Sequence, residues 1–157
     1  MWTYIEYYAH RFLLHNELKL DPSKEADGDK LARIFTVHIH HHVFMNQRHR
    51  MVIPPKITYK VLLVVGAFGY FFLPTVMLIT FLTGVLGGVL LYDTMHLAFH
   101  FDDVLPSWFR NTYWFQSMKA AHMRHHFRHN DREFGVTIDL WDRIYGTQRN
   151  SQVKSVE

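Results

Sequence analysis

Apolar and polar positions are segregated along this chain rather than mixed. Residues 61–92 form a run of 32 positions without a single charge. A membrane-crossing helix needs about 20 apolar residues, so the run is too long for one helix and slightly short for two. Pro74 falls near its middle, after the aromatic block Tyr70-Phe71-Phe72, and a proline there breaks a helix. The pattern predicts a helical hairpin: one limb over about 57–73, a turn at Pro74, and a second limb over about 76–92. Helices satisfy their own backbone groups, which is what a bilayer demands. Gly84, Gly87 and Gly88 would let a neighbouring helix approach the second limb closely. A soluble chain of 157 residues would struggle to cover so apolar a hairpin on every side.

The flanks read differently. A helical aromatic stretch is predicted over 2–14, then a solvated polar loop over 21–30. A short helix over 38–42 follows, and Pro54-Pro55 leads into the hairpin. Beyond the hairpin, Pro106-Ser107 breaks the chain, and another helix carries His122 to His126. The tail holds Gly135-Val136-Thr137 and Leu140-Trp141-Asp142. The length suits one domain, 1–157. All 17 Lys and Arg residues lie outside the apolar run, on both sides of it. A hairpin returns both flanks to one face, and the positive-inside tendency makes that face cytoplasmic. The expected fold class is therefore an all-α integral membrane protein, a transmembrane hairpin under a cytosolic-face helical cap.

Composition sharpens the chemistry. There is no cysteine, which excludes disulfides, thiolate metal sites and cysteine nucleophiles. A net charge of +3 gives no sign of a nucleic-acid partner. Thirteen histidines is a large excess, and all lie in the polar flanks. Ten fall into four groups: His10 and His15; His38, His41 and His42; His96 and His100; His122, His125 and His126. Helical residues three and four apart share a face, so three of the groups each present one face of imidazoles. His10 and His15, five apart, do not. They serve one site only if the helix ends or distorts between them, or else they serve two metals. Ten imidazoles are too many for one ion, whereas two ions with five nitrogens each would leave an octahedral-like metal one open position. Imidazole suits iron, copper, zinc and nickel alike. His40, His49 and His129 fall outside the groups and are expected at the surface or behind the ligands. Asp93, one turn before His96, and Asp142 are candidates to support ligands from behind, although Asp93 equally suits the polar end of a membrane span.

The matched segments are His10-Arg11-Phe12-Leu13-Leu14-His15, the stretch from His38 to Pro55, Tyr92-Asp93-Thr94-Met95-His96 to His100, and His122-Met123-Arg124-His125-His126-Phe127. The tail adds Gly135-Val136-Thr137, Leu140-Trp141-Asp142 and Gly146-Thr147. Together they resemble the fatty acid hydroxylase and sterol desaturase superfamily, most closely its fatty acid 2-hydroxylase branch. The resemblance implies a dimetal centre, with iron as the working metal and zinc as a possible bound species. It implies dioxygen as co-substrate, hydroxylation at carbon 2 of a fatty acyl chain destined for sphingolipid, and electrons from a carrier such as cytochrome b5. In a eukaryote it implies the endoplasmic reticulum. Ile39, Val43, Met45 and Gln47 depart from the usual pattern around the second box. Family members also carry a transmembrane hairpin ahead of the first box. Its apparent absence here makes a fragment, a reduced homologue, or a subunit completed by a larger membrane complex the expectation.

Hydroxylating an unactivated C–H bond needs oxygen chemistry that no side chain supplies, so a complete ligand set argues for an oxidoreductase. The alternatives are a non-catalytic membrane subunit that keeps the metal as a staple, and a related sterol or lipid desaturase-type oxidase. The topology is directly testable, because the chain has no cysteine of its own. Single cysteines at Asp27 and Ser151 should react with an impermeant thiol reagent from the same side of sealed vesicles. Labelling from opposite sides would rule the hairpin out.

Overall fold

A computed structural model describes residues 1–15, 38, 41, 42 and 44–149. The polar loop expected over 21–30, and His40, lie outside the described residues. Every regular element described is helical. Helix α1, Trp2–Tyr8, runs without a break into a π-helical segment, Ala9–Leu14. A 3₁₀ turn follows at Arg48–Arg50. Helix α2 spans Pro55–Tyr70, α3 Thr75–His100, α4 Ser107–Arg110, α5 Tyr113–Phe127 and α6 Leu140–Ile144.

The prolines act as punctuation at helix starts. Pro55 occupies the first turn of α2, where its missing N–H costs nothing and its fixed φ is already helical. Pro74 immediately precedes α3, so it launches the second helix rather than sitting at the apex of a turn. Thr112 caps α5 by accepting from Phe115 N at 3.3 Å, which satisfies one of the free amides of the first turn. Within α3, the Thr80 and Thr94 hydroxyls donate to the carbonyls of Val76 and Leu90. Those bonds satisfy two hydroxyls of the helix within its own backbone.

Among the described residues, one helix, α3, is long and apolar enough to cross a membrane. At 16 residues, α2 falls short of the roughly 20 a full crossing needs. The two are joined by a short turn and pack along one another. The expected second limb stopped near residue 92, but α3 runs eight residues further, to His100. Its two halves differ. Near the turn, Val76, Met77 and Ile79 are exposed, as are Phe68 at the end of α2 and Phe71 in the turn. From Gly88 onward, Val89, Tyr92, Met95, His96, Ala98 and Phe99 are buried. One continuous helix thus carries two histidines from the apolar layer into the cap. The cap core sets Tyr92, Met95, Ala98 and Phe99 against Phe115 and Met118 of α5 and against Val136.

The three glycines of α3 are not equivalent. A Cβ on Gly88 would lie 2.1 Å from the Trp2 ring, whereas Gly84 and Gly87 face open space. Close approach is therefore used once, where α1 lies on α3. Gly88→Ala should destabilise the protein by about 1–3 kcal/mol through overpacking. Gly87→Ala should be neutral or slightly stabilising, since alanine is the better helix former. Thermal unfolding in detergent checks both, and Trp2→Ala should relieve the Gly88→Ala defect.

Candidate metal centre

Ten histidine side chains converge under the cap in two groups of five. The first comprises His10, His15, His38, His42 and His125; the second comprises His41, His96, His100, His122 and His126. Within each group the ligand-capable atoms lie within 4.8 Å of one another. These are the ten histidines singled out from the sequence. His49 and His129 are exposed and stand apart.

Local backbone geometry explains who joins whom. An α-helix would turn His10 and His15 to different faces. Here the segment is π-helical, and His15 N donates to His10 O at 3.2 Å, five residues back. A π-turn brings residues five apart onto one face, and the two Nε2 atoms meet at 3.2 Å. The three-histidine boxes do not stay whole. His38 and His42, four apart, serve the first group, while His41 crosses to the second. In mirror fashion, His122 and His126 serve the second group and His125 crosses to the first. Each α-helical box therefore gives an i,i+4 pair to one group and its odd member to the other. The groups share a wall where the His42 and His126 rings stack at 4.1 Å.

The hydrogen bonds orient the rings. His10 Nδ1–H donates to Phe134 O at 2.5 Å, His125 Nδ1–H to Arg132 O at 2.6 Å, and His96 Nδ1–H to Met51 O at 2.8 Å. With the proton on Nδ1, the Nε2 of each ring is a bare lone pair. In the first group His15 Nε2 lies 3.2 Å from His10 Nε2 and 2.9 Å from His125 Nε2. His15 has at most one proton on that atom, so it can donate along only one of the two contacts, and the other bare Nε2 is left without a donor. Protons cannot satisfy the first group, and a cation can.

The spacing also discriminates between geometries. Two nitrogens each about 2.1 Å from one ion lie about 3.0 Å apart at right angles and about 3.4 Å apart at tetrahedral angles. The close Nε2 pairs run from 2.9 Å for His125–His15 to 3.2 Å for His10–His15, with His41–His126 at 3.0 Å and His41–His96 at 2.9 Å. These closest pairs match nitrogens at right angles about a common ion.

Protonation cannot relieve the crowding. Burial, reinforced by neighbouring imidazoles, lowers His15 to about 2 and His42 to about 3. Burial lowers His125 to about 4, and it takes His10, His38 and His122 well below their ordinary value of 6.5.

Carboxylates support the site through backbone rather than through the rings. Asp142 accepts from Phe134 N and Gly135 N at 2.9 and 2.8 Å and from Thr147 Oγ1 at 2.7 Å. It thereby fixes the segment whose Phe134 carbonyl holds His10. Gly135 is needed there, because a Cβ would stand 2.1 Å from Ile138 O. Asp93 accepts from Ile53 N at 2.9 Å, two residues beyond the Met51 carbonyl that holds His96. Neither aspartate bonds a histidine directly. Glu6, which the sequence reading passed over, accepts from Val136 N and Thr137 N at 2.7 Å and from Thr137 Oγ1 at 2.6 Å. Its only signal was being the lone charge on the aromatic α1.

An apolar cavity of about 320 Å³ reaches this centre. It lies between α1, α2 and α3, and its walls include Leu13, Val61, Val89 and Tyr92. At one end it is lined by His10 and His38 of the first group and His41 and His96 of the second.

Paired five-histidine cages at the inner end of a membrane-type helix define a helical histidine-box protein. The chain belongs to the fatty acid hydroxylase family, whose model matches residues 1–147. It is 35% identical to the human fatty acid 2-hydroxylase over 151 residues, covering 94% of this chain and 37% of that protein. It is 32% identical to the ceramide very long chain fatty acid hydroxylase SCS7 of Saccharomyces cerevisiae, covering 94% of this chain and 35% of that one. The dihydroceramide fatty acyl 2-hydroxylase FAH2 of Arabidopsis thaliana is 30% identical, with 93% and 56% covered. A solved structure, described as full-length scs7p with only its hydroxylase domain visible, superposes with a TM-score of 0.71 at 28% identity, covering 95% of this chain and 52% of that one. The chain thus spans between about a third and just over half the length of these relatives.

Acid should act on the cages with a definite sign. The folded-state values lie below the ordinary 6.5, so the unfolded chain takes up protons first. Stability is full above about pH 6.5 and falls as pH drops from there toward 4. Ligand nitrogens must also be neutral to bind metal, so bound metal leaves in the same window. Metal content and melting temperature measured between pH 7.5 and 4 check this. Metal fully retained at pH 4 would contradict it.

Proposed function

We propose that the chain hydroxylates a fatty acyl chain, at carbon 2, with dioxygen and a dinuclear metal centre held by His10, His15, His38, His42 and His125 on one ion and His41, His96, His100, His122 and His126 on the other. The observation that carries this reading is the apolar cavity lined at one end by histidines of both cages. A staple that only held helices together would have no use for it. The relatives named for acyl 2-hydroxylation and the matched family support the same reading.

Redox-active metal bound there, iron on this reading, would supply the oxygen activation that protein groups lack. One oxygen atom enters the new C–OH group and the other leaves as water, with two protons and two electrons taken up. The electrons come from a carrier such as cytochrome b5. The protein's own part is positional. Aliphatic walls receive the acyl chain and exclude water, and the hydrogen-bonded rings of His10, His96 and His125 hold their Nε2 atoms inward. Helix α3 anchors the site at a membrane. Its orientation toward the cytosol, on the endoplasmic reticulum of a eukaryote, is part of the proposal, as is completion of the cavity by further helices of a larger membrane complex.

Native membranes holding the parent chain, with iron, dioxygen and a reductant supplied, should yield 2-hydroxylated lipid above a no-protein control. His125→Ala should cut that yield by more than about 100-fold, beyond the usual loss for a mere supporting partner of a ligand, while membrane insertion persists. No product from the parent would leave the structural-staple reading standing instead.

A further inference from the structure

The two cages are oriented by separate stretches of backbone, and one of them turns on a residue outside every histidine box. Arg132 O holds His125 and Phe134 O holds His10, both of the first cage. Between them stands Glu133, whose φ of 58° makes it the one non-glycine residue with positive φ among those described. An L-residue takes this left-handed conformation only when its surroundings impose it. The surroundings here are explicit. Glu133 is buried, and its carboxylate accepts from Arg124 Nε at 3.0 and 3.2 Å and from Arg124 Nη2 at 2.5 Å. Its backbone N–H donates to Thr147 O at 3.0 Å. Arg124 lies on α5 directly before His125, so the ion pair ties the turn to the helix that carries a first-cage ring. The second cage leans elsewhere, on Met51 O and the Asp93–Ile53 bond.

We infer that Glu133 is a positioning residue for the first cage alone. Its left-handed turn aims the carbonyls on either side of it, Arg132 O and Phe134 O, at histidines from two different helices, and the Arg124 pair holds the turn against its strain. The inference rests on the two-ion reading above. It implies that the ions can be lost separately, with the first cage controlled from residues 132–134.

The test uses the full chain, loaded with iron and dialysed against a chelator, with metal per chain and far-ultraviolet helical content as readouts. The parent should keep close to two ions. Glu133→Val strongly disfavours positive φ and removes the ion pair, so it should keep close to one. Glu133→Gly reaches the same φ without strain and should return to close to two. Adding His122→Ala to Glu133→Val should remove the remaining ion, whereas adding His10→Ala should remove nothing more, since both then strike one cage. Glu133→Val retaining two ions, losing both together at parent-like helicity, or being matched by Glu133→Gly overturns the inference. Should Glu133→Val fail to fold, Glu133→Ala is titrated with chelator. One ion leaving well before the other supports the inference, and joint departure overturns it. A parent near zero sinks the two-ion reading itself, a result distinct from any of these.

Discussion

The structure depends on gathering neutral imidazoles with their lone pairs facing one another. Ten rings from four separated stretches are packed into the cap, and burial keeps protons off those outside the membrane helix. Such an arrangement is unfavourable by itself, since desolvated acceptors crowd without donors. Cations would reverse the sign, and on the two-ion proposal their binding energy would become folding energy for the cap. On that proposal a small cap, with a modest core around Phe99, Phe115 and Met118, could hold so many polar groups away from water.

Orientation of the rings is delegated to the backbone. Three rings give their Nδ1 protons to main-chain carbonyls, and the carboxylates of Glu6, Asp93 and Asp142 fix the strands of chain that bear or adjoin those carbonyls. Charge is thus kept one layer back from the rings. A carboxylate bonded directly to a ligand would make the imidazole a stronger donor. A carbonyl does so more gently and adds no charge to the cage.

Helix α3 joins the membrane to the chemistry. Its exposed apolar half and its buried histidine half form one rigid rod, so the depth of the centre relative to the lipid is set by helix geometry rather than by a loop. The apolar cavity beside it, between α1 and α2, is lined by residues of that rod and by histidines of both cages. The seating of Trp2 on Gly88 fixes α1 against it, which places His10 at the cavity's metal end.

Much of this was legible in the residues alone. The charge-free run, the proline break within it and the ten grouped histidines specify a helical, metal-suited chain, because apolar runs and ligand spacing are local properties of one segment. What the tertiary structure decided is the partition of the ten. The sequence places His38, His41 and His42 on one face, yet only the docking of helices from distant segments sends His41 one way and its neighbours the other. The His10–His15 pair needed a π-turn, which spacing alone left open as a distortion or a split. The roles of Glu6, Arg124 and Glu133 were not legible, because their partners lie on other elements: Glu6 meets residues 136 and 137, and Arg124 meets a residue whose backbone conformation only the folded turn imposes. Local spacing determines which atoms can bind a metal, and the packing of helices determines which of them meet.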